Sequence, residues 1–131
     1  MKDIKVLSKE IFESAMDYLP RLLDGLSRTS QHFKENENLE GYQILHNANE
    51  GLMWFNQVVL GLPVILPQGE SAIDIEKNWN NYINALNNML SSIESRDTDA
   101  ISKVLENDIV PYIKLVYEKI RSLRQGTEYT Q

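Results

Sequence analysis

The chain contains no cysteine. That absence removes disulfides, thiolate metal sites and thiol nucleophiles together, and it fits a reducing cytoplasm. Histidine is almost as scarce, with only His32 and His46. A histidine-rich metal centre or a histidine-based catalytic relay therefore has little to draw on. No apolar run approaches the roughly 20 residues that a membrane-spanning helix needs. The amino-terminal MKDIKVLSKE carries basic residues without the apolar stretch of a secretion signal. No P-loop, G-x-G-x-x-G or G-x-S-x-G motif is present. Positive charge is also short, since 13 Lys and Arg against 19 Asp and Glu give a net charge of −6. Nucleic acids and anionic membrane surfaces are recognised by clustered cations, so neither is an expected partner. These absences predict an acidic cytoplasmic protein that is not an enzyme and holds no metal or cofactor.

What the chain does contain is amphipathic helix. Its 131 residues are 42% apolar and 24% charged, the balance of one globular domain. At about 100° per residue, Phe12, Ala15, Leu19, Leu22, Leu26, Ser30 and Phe33 fall on one face. Glu10, Glu13, Asp17, Arg21, Asp24 and Arg28 fall on the opposite one. Glu13 and Asp17 could be read as an acid–base pair. The order of Asp17–Arg21 and Asp24–Arg28, acid four residues before base, instead marks a solvated face with charge pairs.

The spacing predicts helices over about 8–35, 39–60, 72–95 and 98–124. Asn36 and Asn38 end the first and cap the second, and Ser71-x-x-Asp74 opens the third. Asp97 or Thr98 caps the fourth. The apolar stripe keeps its phase across Pro20, and Ile101, Leu105 and Ile109 share a face with Tyr112, Val116, Ile120 and Leu123 across Pro111. Both prolines are therefore expected to kink a helix rather than divide it. The predicted architecture is all-α, an antiparallel up-down-up-down four-helix bundle over residues 1–124, with 125–131 a frayed tail.

A di-iron bundle needs Glu-x-x-His on two helices and a Glu on each of the others. The nearest match is Gln43-x-x-His46, with an amide in place of the carboxylate. His46 and Glu50 share a flank, and two ligands do not close a metal site.

Two features point to binding. In the second helix Leu45, Ala48, Leu52, Phe55 and Val59 form the core stripe, while Trp54 and Val58 project to one side of it and Met53 and Leu60 to the other. Apolar character then continues into the connection Gly61–Gly69, through Leu62, Val64, Ile65 and Leu66. This segment either folds over the bundle end as a lid, with Trp54 beneath it, or offers an apolar surface to a partner helix or a second copy. The candidate partner-binding residues are thus Trp54, Val58, Leu62, Val64, Ile65 and Leu66. In the third helix Ile75, Trp79, Tyr82, Ile83, Leu86, Leu90 and Ile93 form a core face, and the opposite face is nearly uncharged. Six asparagines between Asn78 and Asn88 give up about 3–4 kcal/mol of helix propensity relative to alanine. Asn80, Asn84 and Asn88 are a secondary candidate face, since a row of amides can bond a partner backbone. A third option is a small-molecule pocket at Pro20 or Pro111, with Tyr18 and Tyr112 as polar handles.

Three stretches carry a family resemblance: FKENENLEGYQILHNA (Phe33–Ala48), NWNNYINALNNML (Asn78–Leu90) and RDTDAISKVL (Arg96–Leu105). A polar turn leads to a helix with an I-x-x-x-A ending, a later helix carries the pair Tyr82–Ile83, and a basic residue followed by Asp opens an amphipathic helix. In these features the chain resembles the flagellin-specific export chaperones, or a further bacterial helical-bundle family of the same architecture. The resemblance implies a small acidic chaperone that wraps a disordered, helix-forming tail of a secreted subunit on its outer surface. Together these readings predict a chaperone or adaptor that engages an amphipathic segment, with a homodimeric structural or regulatory bundle as the alternative.

Overall fold

Helix α1 runs from Ile4 to Lys34 without a break at Pro20. Pro20 stands on the exposed side, where water can serve the carbonyl that its ring leaves without a donor. A computed structural model describes residues 4–65 and 70–129, with side chains placed over 9–62 and 75–122. α2 spans Asn38–Ile65, α3 spans Glu70–Glu94 and α4 spans Thr98–Val104. A π-helical turn, Leu105–Ile109, joins α4 without interruption to α5, Val110–Tyr129, and these three pieces form the fourth rod of the bundle. The all-α, four-helix architecture is as the sequence predicts.

Some ends differ from expectation. α2 continues through Gly61 and Pro63 to Ile65, because Leu62 is wholly buried and its packing outweighs the weak helix propensity around it. α3 begins at Glu70, so Ser71 lies inside the first turn rather than at the cap. The side chains of Ser71 and Asp74, and that of Leu123, lie outside the described residues. α5 runs past Arg124 to Tyr129. One glycine, Gly126, costs about 1 kcal/mol in a helix, which is too little to end one by itself.

The two turns with described geometry share one construction. Asn36 and Arg96 adopt left-handed backbone, φ 60° and 56°. The amide of Glu37 bonds the His32 carbonyl at 2.8 Å, and that of Asp97 bonds the Ser92 carbonyl at 2.9 Å. The amides of Asn36 and Arg96 bond Phe33 and Ile93. This is the Schellman pattern, which satisfies carbonyls left open at a helix end. Asp97 then caps α4 through the Ala100 amide at 3.1 Å.

α1 is the packing centre, lying most closely on α2 and then on α4 and α5. α3 lies on α4, the π turn and α5, whereas α2 and α3 approach each other only sparsely. The close α1–α2 seam rests on missing side chains. A Cβ on Gly41 would come within 2.5 Å of the Phe33 ring, and one on Gly51 would strike Tyr18 and reach 3.0 Å from Leu22. All seven predicted core residues of α1 are buried. In α3 the buried line is Ile75, Tyr82, Ala85 and Met89, with Trp79, Ile83, Leu86 and Ile93 half-buried. Leu90, expected in that core, is 56% exposed. The helix is rolled so that small Ala85 and flexible Met89 lie against its neighbours, and Leu90 is carried outward. In the fourth rod Ile101, Leu105, Ile109, Tyr112, Val116 and Ile120 are buried as expected, joined by Ser102, Val110 and Ile113.

One buried polar link crosses the α1–α4 seam. Ser30 Oγ lies 2.6 Å from Ser102 Oγ and donates to Glu106 Oε1 at 2.8 Å. Lys34 pairs with the same carboxylate, and Lys34 together with Ser30 holds the Glu106 carboxyl below its usual range.

Candidate functional site

The π turn and Pro111 are linked by chemistry. Proline has no N–H and its ring crowds the carbonyl one turn earlier, so widening that turn relieves the clash. Beside it is a cleft of about 290 Å³, lined by Asn78, Asn81 and Tyr82 of α3 and by Asn107, Asp108, Pro111, Tyr112 and Leu115 of the fourth rod. A pocket at Pro111 with Tyr112 in its wall agrees with the sequence reading. The hydroxyl expected as a polar handle is engaged elsewhere, donating to the Ile75 carbonyl at 3.1 Å.

Aromatic packing forms the wall behind the cleft. Tyr82 and Tyr112 stack with centroids 4.6 Å apart at 19°. Phe55 of α2 meets both edge-on, at 5.7 and 6.1 Å, and Trp79 tilts against both. The Tyr82 hydroxyl donates to Asn56 Oδ1 at 2.7 Å, a bond from α3 to α2. Burial pushes the Tyr112 phenol up to about 12. Burial, aided by the neighbouring Tyr112, pushes Tyr82 further above the usual tyrosine range. Two neutral, engaged phenols are poor proton carriers near pH 7, so these two rings offer contact surface rather than acid–base chemistry.

Near Pro20 the arrangement differs. Tyr18 lies against Gly51 and meets Trp54 edge-on at 5.3 Å, so it fills the α1–α2 seam. Trp54 is half-buried there. Val58 is 7% exposed and Leu62 is wholly buried, which corrects their assignment to a partner surface. Val58 follows Gly51 by two helical turns, on the side where α2 approaches α1 most closely, and both residues are core. Val64 and Ile65 belong to the last turn of α2, but their side chains lie outside the described residues, as does Leu66. Asn80, Asn84 and Asn88 are all exposed, as the secondary face requires.

Exposed apolar surface is found instead on the other flank of α2. Met53 is 61% and Leu60 59% exposed. They stand three residues before and four after Asn56, on the side that carries the bond to Tyr82. Leu90 follows Tyr82 and Leu86 at four-residue steps along α3. Met53 and Leu60 therefore share the flank of α2 that carries this bond, and Leu90 lies exposed two turns along α3 from Tyr82. The sequence reading placed Met53 and Leu60 on this flank without weighing them, and the signal available was the pair of glycines that assigns the opposite flank to α1.

Among the described residues, one grouping could surround an ion. His32, Glu35 and Glu37, at the α1–α2 turn, have ligand atoms within 4.8 Å of one another. His32 Nδ1 lies 3.2 Å from Glu37 Oε1. A hydrogen bond from Gln31, then contacts with Glu37 and His32, lower the Glu35 carboxyl. Both carboxylates are exposed, so water screens their repulsion and the cluster needs no ion to exist. No helix among the described residues is long and apolar enough to cross a membrane.

The chain matches the model of a family described as a domain of unknown function, DUF8042, over residues 10–119. The chain belongs to that family. Neither the curated proteins nor the solved structures contain a match.

Proposed function

We propose that this DUF8042 domain is a non-enzymatic protein-binding module, a chaperone or adaptor that engages an amphipathic segment of a partner. The observation that carries the reading is the exposed apolar flank of α2, where Met53 and Leu60, two helical turns apart, are each more than half accessible. Large apolar side chains left in solvent on one helix flank mark interaction surfaces. An amphipathic helix laid along such a flank would present residues at i, i+3, i+4 and i+7. Trp54 is a second contact candidate on the opposite flank, and the amide row Asn80, Asn84 and Asn88 a third. The cysteine-free, acidic composition supports a cytoplasmic setting. The likeness to flagellin-specific export chaperones supports a disordered, helix-forming client. The bundle is taken to be antiparallel, up-down-up-down, on the grounds of its short turns.

The test is a Met53→Glu, Leu60→Glu double variant, compared with the unmodified protein after tagging in the source cells and identifying co-purifying proteins. Both positions are exposed, so stability should change by no more than about 1 kcal/mol. A stoichiometric partner lost in the double variant and retained in Glu13→Ala, an exposed change on α1, supports the reading. Self-association is the alternative, with the same surface joining two copies. Light scattering coupled to size exclusion separates the two. A strict monomer with no stoichiometric partner would sink both.

A further inference from the structure

We infer that the cleft beside Pro111 binds a small organic cation, an ammonium group carried on a short apolar body. The inference is independent of the protein-binding proposal and rests on a different side of α3.

The lining is rich in acceptors and lacks cations. Asp108 contributes a carboxylate, and Asn81 and Asn107 contribute amide oxygens, while among the described residues no Lys, Arg or His lines the cleft. Among the described residues Asp108, Asn81 and Asn107 have no hydrogen-bond or ion-pair partner, so their acceptor capacity is open to a ligand. Pro111 adds to this, because it offers no N–H to the carbonyls of Glu106 or Asn107. The negative charge at Asp108 is thus locally uncompensated, in a protein whose net charge is already −6.

The remaining lining defines the rest of the ligand. The hydroxyls of Tyr82 and Tyr112 are committed to Asn56 and Ile75, so these residues offer ring carbon to the cleft. With Pro111 and Leu115 their ring edges make an apolar wall suited to the alkyl body of the ligand. A volume of about 290 Å³ is at the small end of ligand pockets and suits a compact molecule. A neutral polyol would find acceptors but little to favour it over water. An anion would meet Asp108. π turns inside helices recur at functional positions, and this one forms part of the wall.

The experiment is an amide-resolved NMR titration of the full chain with n-butylammonium, and with n-butanol as its neutral counterpart. Saturable shifts confined to residues 78–82 and 107–115 are expected for the ammonium and not for the alcohol. Asp108→Asn should weaken the response at least tenfold. Asp108 is exposed, so that variant keeps its fold, and the dispersion of the same spectra verifies it. The inference fails if the ammonium gives no saturable shifts there, if the alcohol binds equally well, or if Asp108→Asn leaves the affinity unchanged.

Discussion

Ser30 Oγ and Ser102 Oγ lie 2.6 Å apart in the otherwise apolar seam between α1 and α4. Both side chains are almost wholly buried, at 1% and 4% exposure. Ser102 also reaches the Ser30 carbonyl at 3.4 Å, and Ser30 continues the chain to Glu106. The pair fixes the alignment of two rods whose other contacts are greasy and tolerant of sliding.

Removing either hydroxyl takes one bond from the other in a buried place, leaving Ser30 only its bond to Glu106 or Ser102 only its longer bond to the Ser30 carbonyl. Ser30→Ala and Ser102→Ala should each destabilise the protein by about 1–2 kcal/mol. Losses should be non-additive, with the double variant about 0.5–1 kcal/mol less destabilised than the sum, because the Ser30–Ser102 bond removed by the first substitution is not lost again by the second. Urea unfolding of the four proteins measures the cycle. Strict additivity would mean that the two hydroxyls act separately.

Glycine substitutions should divide by location. Among the described residues no atom lies within 4 Å of where a Cβ on Gly61 would stand, so Gly61→Ala should stabilise by up to about 1 kcal/mol through helix propensity. Gly41→Ala would drive a methyl into the buried Phe33 ring and should destabilise by about 1–3 kcal/mol. Thermal melts of the two variants should shift in opposite directions.

Arg96 occupies left-handed backbone at φ 56°, a conformation in which a Cβ is unfavourable. Arg96→Gly should raise stability by about 0.5–1 kcal/mol, the steric gain exceeding the extra freedom glycine brings to the unfolded chain. The same change at Asn36 should do less, because asparagine tolerates this region better. Chemical denaturation comparing the two variants tests that ranking.

Tyr82 and Tyr112 should resist ionisation. Their folded-state values lie above the ordinary 10.0, and that of Tyr112 is about 12. A raised value means that the neutral phenol is favoured by folding. The contribution is therefore complete below pH 10 and declines as pH rises through the folded values. An ultraviolet titration of the six tyrosines should show two ionising late. Stability should fall with pH across that alkaline range, and Tyr112→Phe should flatten part of the fall.

The regular parts of this fold were open to reading from residue order alone. In α1, one face buried against several partners leaves a single stripe at helical spacing, and Phe12 through Phe33 display it. α2 was harder, because it is buried on the core side and again towards α1. Val58 and Leu62 looked surplus to one stripe when they belonged to the second contact. Gly51, two turns before Val58, was the mark of that contact. Leu90 was misplaced because Ala85 and Met89 were not weighed as core, and the roll of α3 follows them. Pro111 flagged a local irregularity, but the π turn that widens the helix there, and the cleft beside it, depend on Asn78 and Asn81 arriving from another helix.

The two Schellman turns, at Asn36 and Arg96, each join a pair of consecutive helices, α1 with α2 and α3 with the fourth rod. Among the described residues the two pairs meet chiefly through α1 and the fourth rod, while α2 and α3, the helices joined in sequence across residues 66–69, hardly approach. The packing between the pairs therefore depends little on the contact of α2 with α3. Two copies that exchanged their trailing pairs would rebuild the seams of the monomer. Domain exchange of this kind is a low-cost route to a dimer that requires no new interface chemistry.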